Sequence, residues 1–214
     1  MPHRLAFLVT GASGMLLPRH LLGVLAGHPE VERIHLVVSK GASQVLRHEL
    51  GAEKTGAEAL VEAAGLAGAA AAAGAPTAAP AAREKVVVHR DSELDAPISS
   101  GSYRLDSTVV MPCSAGTLKA LATGIASTLI HRAGAVALKE GWPLVLGFRE
   151  TPLSILHIEN MRRVAMAGAV VLPPVPAFYI GGDDMGRFLD HYALRILDHL
   201  GLRKTEATNL RWGE

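Results

Sequence analysis

Short apolar runs alternate with stretches of helical periodicity along most of this chain. Residues 4–9, 33–38, 85–89, 108–111, 143–148 and 170–172 are rich in Val, Leu and Ile, and each has the length of a strand. Between them, apolar residues at three- and four-residue spacing predict helices to about residue 26, over 40–49, 115–122 and 125–139, and again after Pro152. A closing helix over 184–200 sets Phe188, Leu189, Tyr192, Ile196 and Leu200 at helical spacing. Strands and helices alternating at this length predict an α/β domain whose parallel sheet is doubly wound, with helices on both faces.

One stretch breaks the rhythm. Residues 52–82 are dominated by Ala and Gly, with Pro76 and Pro80 near the end. Alanine favours helix, but few large side chains are present to bury. The stretch therefore predicts an inserted low-complexity surface element, helical in part and mobile over 76–82.

The 214 residues suit a single domain with a sizeable core. Hydrophobic residues make up 49% of the chain, and no apolar run reaches the roughly 18 residues of a membrane span. The start lacks a basic segment with a cleavage site, so secretion is not expected. A formal charge of +1 gives no electrostatic case for nucleic acid. The apolar excess predicts buried subunit interfaces, hence a homo-oligomer. The single cysteine, Cys113, excludes an internal disulfide and a Cys-rich zinc site. His157 and Glu159 match part of a zinc deaminase signature whose Cys-x-x-Cys is absent. None of the ten histidines forms a His-x-x-x-His pair, so a metal-free protein in a reducing, cytoplasmic setting is expected.

Candidate chemistry gathers where strands end, the edge at which α/β sheets bind ligands. Thr10, Gly11, Ala12, Ser13 and Gly14 join the first strand to a helix. The glycines allow close backbone approach, and free helix N–H groups favour a phosphate, but a plain tight turn explains the loop equally well. Pro112, Cys113, Ser114, Ala115, Gly116 and Thr117 repeat the design after a later strand. There Ser114 and Thr117 suit a phosphate, or Ser114 simply caps the helix. The strand over 143–148 delivers Arg149 and Glu150. Arg149 has fixed charge and planar donors for a phosphate or a polarised carbonyl. Glu150 would stay ionised if paired with Arg149 or Lys139, and would relay a proton if desolvated.

These motifs, with Ser39-Lys40, Ser100-Gly101-Ser102-Tyr103, Leu138-Lys139-Glu140, Arg149-Glu150-Thr151-Pro152, the run over 173–179 and the terminal Arg211-Trp212-Gly213-Glu214, resemble the flavin prenyltransferases of the UbiX/Pad1 family, in the flavoprotein decarboxylase-like superfamily. The resemblance spans nearly all of the chain outside 52–82. It implies a Rossmann-like, flavodoxin-type fold and a metal-independent enzyme. Such an enzyme transfers a dimethylallyl group from dimethylallyl monophosphate to N5 and C6 of reduced FMN, making the prenylated FMN cofactor of a UbiD-type decarboxylase. By position it implies that Gly11, Ala12, Ser13, Ser39, Ser114, Ala115, Gly116, Thr117 and Arg149 contact FMN. Tyr179 and Arg195 would hold the dimethylallyl phosphate, with Arg132 and Lys139 in the same anionic pocket. Ser13, Glu49, Lys139 and Glu150 would serve the chemistry, and Trp212 would close the site from the C-terminal tail. A dodecamer built from trimers is expected.

The chain also departs from the family pattern. Leu17 and Pro18 replace a tyrosine and a glycine, Thr128 an asparagine, and Ala135 an acidic residue. Two rivals remain in view: an FMN-dependent decarboxylase of the cysteine-decarboxylase group, and a non-catalytic flavin-binding subunit.

Overall fold

The computed structural model describes residues 2–66, 80–181, 184–202 and 210–211. Six parallel strands, β1 (His3–Val9), β2 (Val31–Val38), β3 (Val86–His89), β4 (Ser107–Cys113), β5 (Leu144–Phe148) and β6 (Val170–Val171), form one sheet in the order β3-β2-β1-β4-β5-β6. That is the Rossmann strand order, with its switch point between β1 and β4. The flavodoxin-type order carries only one strand on the β2 side; here β3 adds a second.

Every strand predicted from the apolar runs is present. Alternation within each strand feeds two cores. Leu5, Phe7, Ile34, Leu36, Val109 and Val145 face α1 (Leu16–Gly27), α3 (Gly56–Ala63) and α8 (Met185–Leu200). Ala6, Leu8, Val37, Val110, Leu144 and Leu146 face α5 (Ala115–Thr123) and α6 (Leu129–Glu140) on the other side. Burial on both faces is why the strands read as nearly continuous apolar runs.

Two elements differ from their sequence expectation. The helix expected over 125–139 begins only at Leu129, because Thr128 caps it by accepting from the His131 N–H at 3.3 Å. Asp91 reinforces that start from the loop after β3, its side chain accepting from the Ile130 N–H at 3.0 Å. The first part of the Ala/Gly-rich stretch packs deeper than a surface element, since Leu60 and Val61 of α3 are fully buried beneath α1 and β2. Two large side chains at adjacent positions are enough to seat one short helix on the sheet. Residues 67–79 lie outside the described residues, and with them most of the segment expected to be mobile. The helix expected after Pro152 is present as α7 (Ile155–Met166), which buries only Val164. Ile155, Leu156 and Met166 are 68%, 70% and 74% exposed. His157 serves in its capping box, with its Nδ1 accepting from the Ser154 N–H at 3.2 Å. Among the described residues no helix is long and apolar enough to cross a membrane.

A polar chain runs through the β2–β3 side of the sheet. His35 of β2, 4% exposed, shares hydrogen bonds with His89 Nε2 at 2.9 Å and with the Tyr103 hydroxyl at 3.0 Å. Burial first, then the charges of His89, Arg33 and Arg4, push His35 down from 6.5 to about 4. Between those values the unfolded chain binds the proton that the fold refuses. The stabilisation is therefore complete above pH 6.5 and lost as pH falls toward 4, by about 3 kcal/mol in total. His35→Gln, which keeps hydrogen-bonding groups but does not titrate, is expected to flatten the decline in urea-denaturation stability over that window. An unchanged slope would remove His35 as its source.

Candidate functional site

At the carboxyl edge of the sheet β1 and β4 lie side by side, and their chains leave toward opposite faces, β1 into α1 and β4 into α5. The divergence opens a cleft of about 400 Å³ lined by Gly11, Ala12, Ser13, Ser114, Ala115, Gly116, Arg149 and Glu150. Both glycine-bearing loops singled out in the sequence therefore share one site.

Thr10 holds the two loops together. Its buried hydroxyl donates to the Pro112 carbonyl at 2.8 Å and accepts from the Ser114 N–H at 2.8 Å. The sequence places Thr10 in this loop without a role for it; a hydroxyl directly after β1 and before the glycines was its signal. Gly11 answers a second contact, with α2 (Lys40–Leu50): a Cβ there would lie 3.0 Å from the Gly41 carbonyl carbon. Ser39 caps α2 by accepting from the Ala42 N–H at 3.1 Å. Ser114 caps α5, accepting from the Thr117 N–H at 3.3 Å and donating to its hydroxyl at 3.2 Å. Both serines therefore perform the capping role, while helix geometry leaves the first-turn N–H groups at Ala115 and Gly116 without intrahelical partners, at the cleft wall.

Two charged groups meet this edge. Glu49 reaches over from the end of α2 and accepts from the Met15 N–H at 2.7 Å and the Gly14 N–H at 3.0 Å. It thereby caps α1, whose own N-cap residue, Met15, supplies no side-chain bond. Burial alone would raise the Glu49 carboxyl, but the Met15 N–H, the Ser13 hydroxyl, the Gly14 N–H and the Arg149 charge together hold it below the usual carboxylate range. Gly14 adopts φ +107°, a conformation other residues rarely take, to aim its N–H at that carboxylate. Arg149 is tied by its backbone N–H to the Cys113 carbonyl at 3.2 Å. Its Nε is buried and has no hydrogen-bond partner among the described residues. A buried guanidinium donor left open beside free helix N–H groups fits an anionic or carbonyl-bearing ligand.

The remaining sequence candidates fall elsewhere. Glu150 is exposed and accepts from the Thr151 N–H at 3.0 Å, in place of the pairing with Arg149 or Lys139 weighed from the sequence. Lys139 instead pairs with its neighbour Glu140, at the end of α6 beside Gly101. Arg132 donates from Nε to the Ser99 carbonyl at 2.8 Å. Arg132 and Lys139 thus belong to the 99–103 turn rather than to the cleft loops. Tyr179 and Arg195 lie with α8, the tyrosine hydroxyl sharing a hydrogen bond with His191 Nε2 at 3.0 Å and Arg195 sitting 3.9 Å from Asp198. Trp212 lies outside the described residues. Of the departures, Thr128 is the α6 cap, and Leu17 and Pro18 are buried in the first turn of α1. Ala135 is half-buried in α6 and nothing in its surroundings explains it.

Known proteins resemble this chain over most of its length. The profile of the family described as Flavoprotein matches residues 1–191. The chain is 37% identical over 218 residues to the flavin prenyltransferase UbiX of Pseudomonas aeruginosa, covering 100% of this chain and 95% of that protein. It is similar to the crystal structure of AnUbiX in complex with FMN and dimethylallyl pyrophosphate: 33% identity, TM-score 0.75, covering 98% of this chain and 100% of that one. It is also similar to a dodecameric FMN-dependent UbiX-like decarboxylase from Escherichia coli O157:H7, with 34% identity, TM-score 0.78 and coverage of 99% and 100%.

The Thr10 bridge is open to direct test. Thr10→Val preserves shape but strands the Ser114 N–H, at a cost of about 1–3 kcal/mol in urea denaturation. Thr10→Ser keeps the hydroxyl and is expected to fall well short of that loss. Equal stability of the valine variant and the parent would show that the loops do not depend on this bond.

Proposed function

This chain belongs to the flavoprotein family and, within it, to the UbiX flavin prenyltransferases, and on that premise we infer that it joins a dimethylallyl group to N5 and C6 of reduced FMN. The observation on the chain itself that carries the reading is the open, buried Nε of Arg149 at a cleft walled by two glycine-bearing loops. Those residues fit FMN. The turn over 114–117 and Ser39 offer hydroxyls and backbone N–H groups for its phosphate, and Arg149 offers a donor for its polar ring edge.

When bound, reduced FMN supplies the nucleophilic ring positions. The chain's own residues set the rest. Glu49, kept ionised by the α1 N-terminus, takes the Ser13 hydroxyl proton into a hydrogen bond. Ser13 then offers its oxygen lone pairs to the cleft, the polarity needed toward a ring N–H. Glu150, at the exposed rim, has one oxygen engaged by the Thr151 N–H and the other available for proton exchange.

Breaking the allylic C–O bond of dimethylallyl monophosphate puts charge on the leaving phosphate, which Arg132, Lys139, Tyr179 and Arg195 stabilise. The first two are held at the 99–103 turn and the last two at α8, so we assign the complete pocket to a subunit interface. Trp212 shelters the allylic cation from water in this scheme. These cationic groups favour a phosphate-leaving donor over decarboxylation of a cysteine. The exposed apolar residues of α7, with Val175 and Phe178 66% and 90% exposed nearby in the chain, support a closed homo-oligomer, and we propose a dodecamer. The product is passed, on this reading, to a UbiD-type decarboxylase, and the setting is the cytoplasm.

Incubation with reduced FMN and dimethylallyl monophosphate is expected to add the mass of one dimethylallyl unit to the flavin, and an unchanged flavin mass would overturn the assignment. In a flavin fluorescence titration Arg149→Ala is expected to bind FMN about tenfold more weakly, the worth of one charge-assisted hydrogen bond.

Assembly has its own test. Light scattering is expected to report a multimer at micromolar concentration, and Leu156→Asp, on the exposed face of α7, to reduce its size while leaving the circular dichroism unchanged. A monomeric parent protein sinks the proposal.

A further inference from the structure

The polar side of α8 contains a histidine to which none of the roles above is given. Arg187, His191 and Arg195 stand four residues apart, on one row of a helix whose opposite side, Leu189, Tyr192, Ala193, Ile196 and Leu200, is core. The row meets the short 3₁₀ segment Phe178–Ile180 at two points. Arg187 donates from Nη2 to the Ile180 carbonyl at 2.7 Å, and His191 Nε2 shares its hydrogen bond with the Tyr179 hydroxyl at 3.0 Å. The two rings meet edge to face, with centroids 5.7 Å apart and planes at 89°. His191 is 7% exposed, whereas Tyr179 is 49% exposed. The imidazole is therefore a fixed, buried support, and the phenol is the part that solvent or a ligand can reach.

We infer that His191 is a positioning residue of the donor-phosphate pocket, holding the Tyr179 hydroxyl where it meets the phosphate of the allylic donor beside Arg195. The inference rests on the prenyltransferase reading and deepens it. A phenol on a three-residue turn has two soft side-chain torsions, and a hydrogen bond from a rigid helix removes that freedom before the ligand arrives. The chemistry of the pair suits the task. Burial first, then the charges of Arg195 and Arg211, push His191 below its ordinary value, so it is neutral near pH 7. A neutral imidazole keeps the bond in either tautomer. With Nε2 unprotonated it accepts the phenol proton; with Nε2 protonated it donates to the phenol oxygen. In the second state the phenol proton is released toward a phosphate oxygen. Tyr179 can then donate to the anion without losing its support.

The test compares His191→Phe, which keeps the ring and loses the nitrogen, with His191→Gln, which restores hydrogen-bonding groups at the reach of Nε2. Calorimetry on protein loaded with oxidised FMN, which cannot turn over, measures the binding of dimethylallyl monophosphate and separately of inorganic phosphate. The Phe variant is expected to bind both about tenfold more weakly, with unchanged FMN affinity, and to show a raised KM for the donor with kcat within about twofold. The Gln variant is expected to recover most of the affinity. Parent-like phosphate binding by the Phe variant overturns the proposal, as does an equal loss in both variants that tracks their melting temperatures. A parent protein that binds phosphate but never changes the flavin mass overturns the prenyltransferase reading instead, and the phosphate comparison still decides the role of His191.

Discussion

The functional end of this molecule depends on one buried hydroxyl. Thr10 stands at the switch point of the sheet, where β1 and β4 are neighbours and their following loops part company. The Thr10 backbone N–H also donates to the Pro112 carbonyl, at 3.2 Å, and the hydroxyl carries the link on to the Ser114 N–H at the start of the second loop. By donating to Pro112 and accepting from Ser114, Thr10 makes them two walls of one cleft. The close approach of Gly11 to Gly41 then seats α2 against the same point, so that the helix carrying Glu49 is fixed relative to the first loop.

That geometry sets the electrostatics. Glu49 serves α1 in place of a local cap, and in doing so brings a carboxylate to the edge of the cleft that Arg149 enters from the other side. The carboxylate accepts from Met15, Gly14 and Ser13. Arg149 keeps a buried donor open. One charge is thus spent on architecture and on orienting a serine, and the other is left for a ligand. The asymmetry is what makes the cleft a site for an electron-rich group rather than a structural ion pair.

The rest of the machinery sits on elements that one chain leaves half-finished. An α7 with one buried residue and several exposed large apolar ones is a poor surface helix and a good interface helix. Arg132 and Lys139 at one turn, and Tyr179 and Arg195 at and beside α8, are each held by their own neighbours. Assembly and the anionic pocket are consequences of the same incompleteness, and His191 shows how a single helix can ready its share of that pocket in advance.

What the sequence determined by itself was what local pattern encodes. Apolar runs of strand length, separated by helical spacing, specified six parallel strands and a doubly wound sheet, and the residues at strand ends specified the cleft loops. Ser114 was legible as a cap because capping is a contact over three residues. Tertiary structure decided the contacts that span the chain. Thr10 bonds a residue 104 positions away, Glu49 caps a helix from 35 positions away, and Asp91 starts α6 from 39. The burial of α3 within an Ala/Gly-rich stretch was likewise settled by packing. Hydrogen bonds are short-ranged and sequence periodicity reports only which face is apolar, so no local pattern says which distant partner a polar group will meet. That choice belongs to the fold.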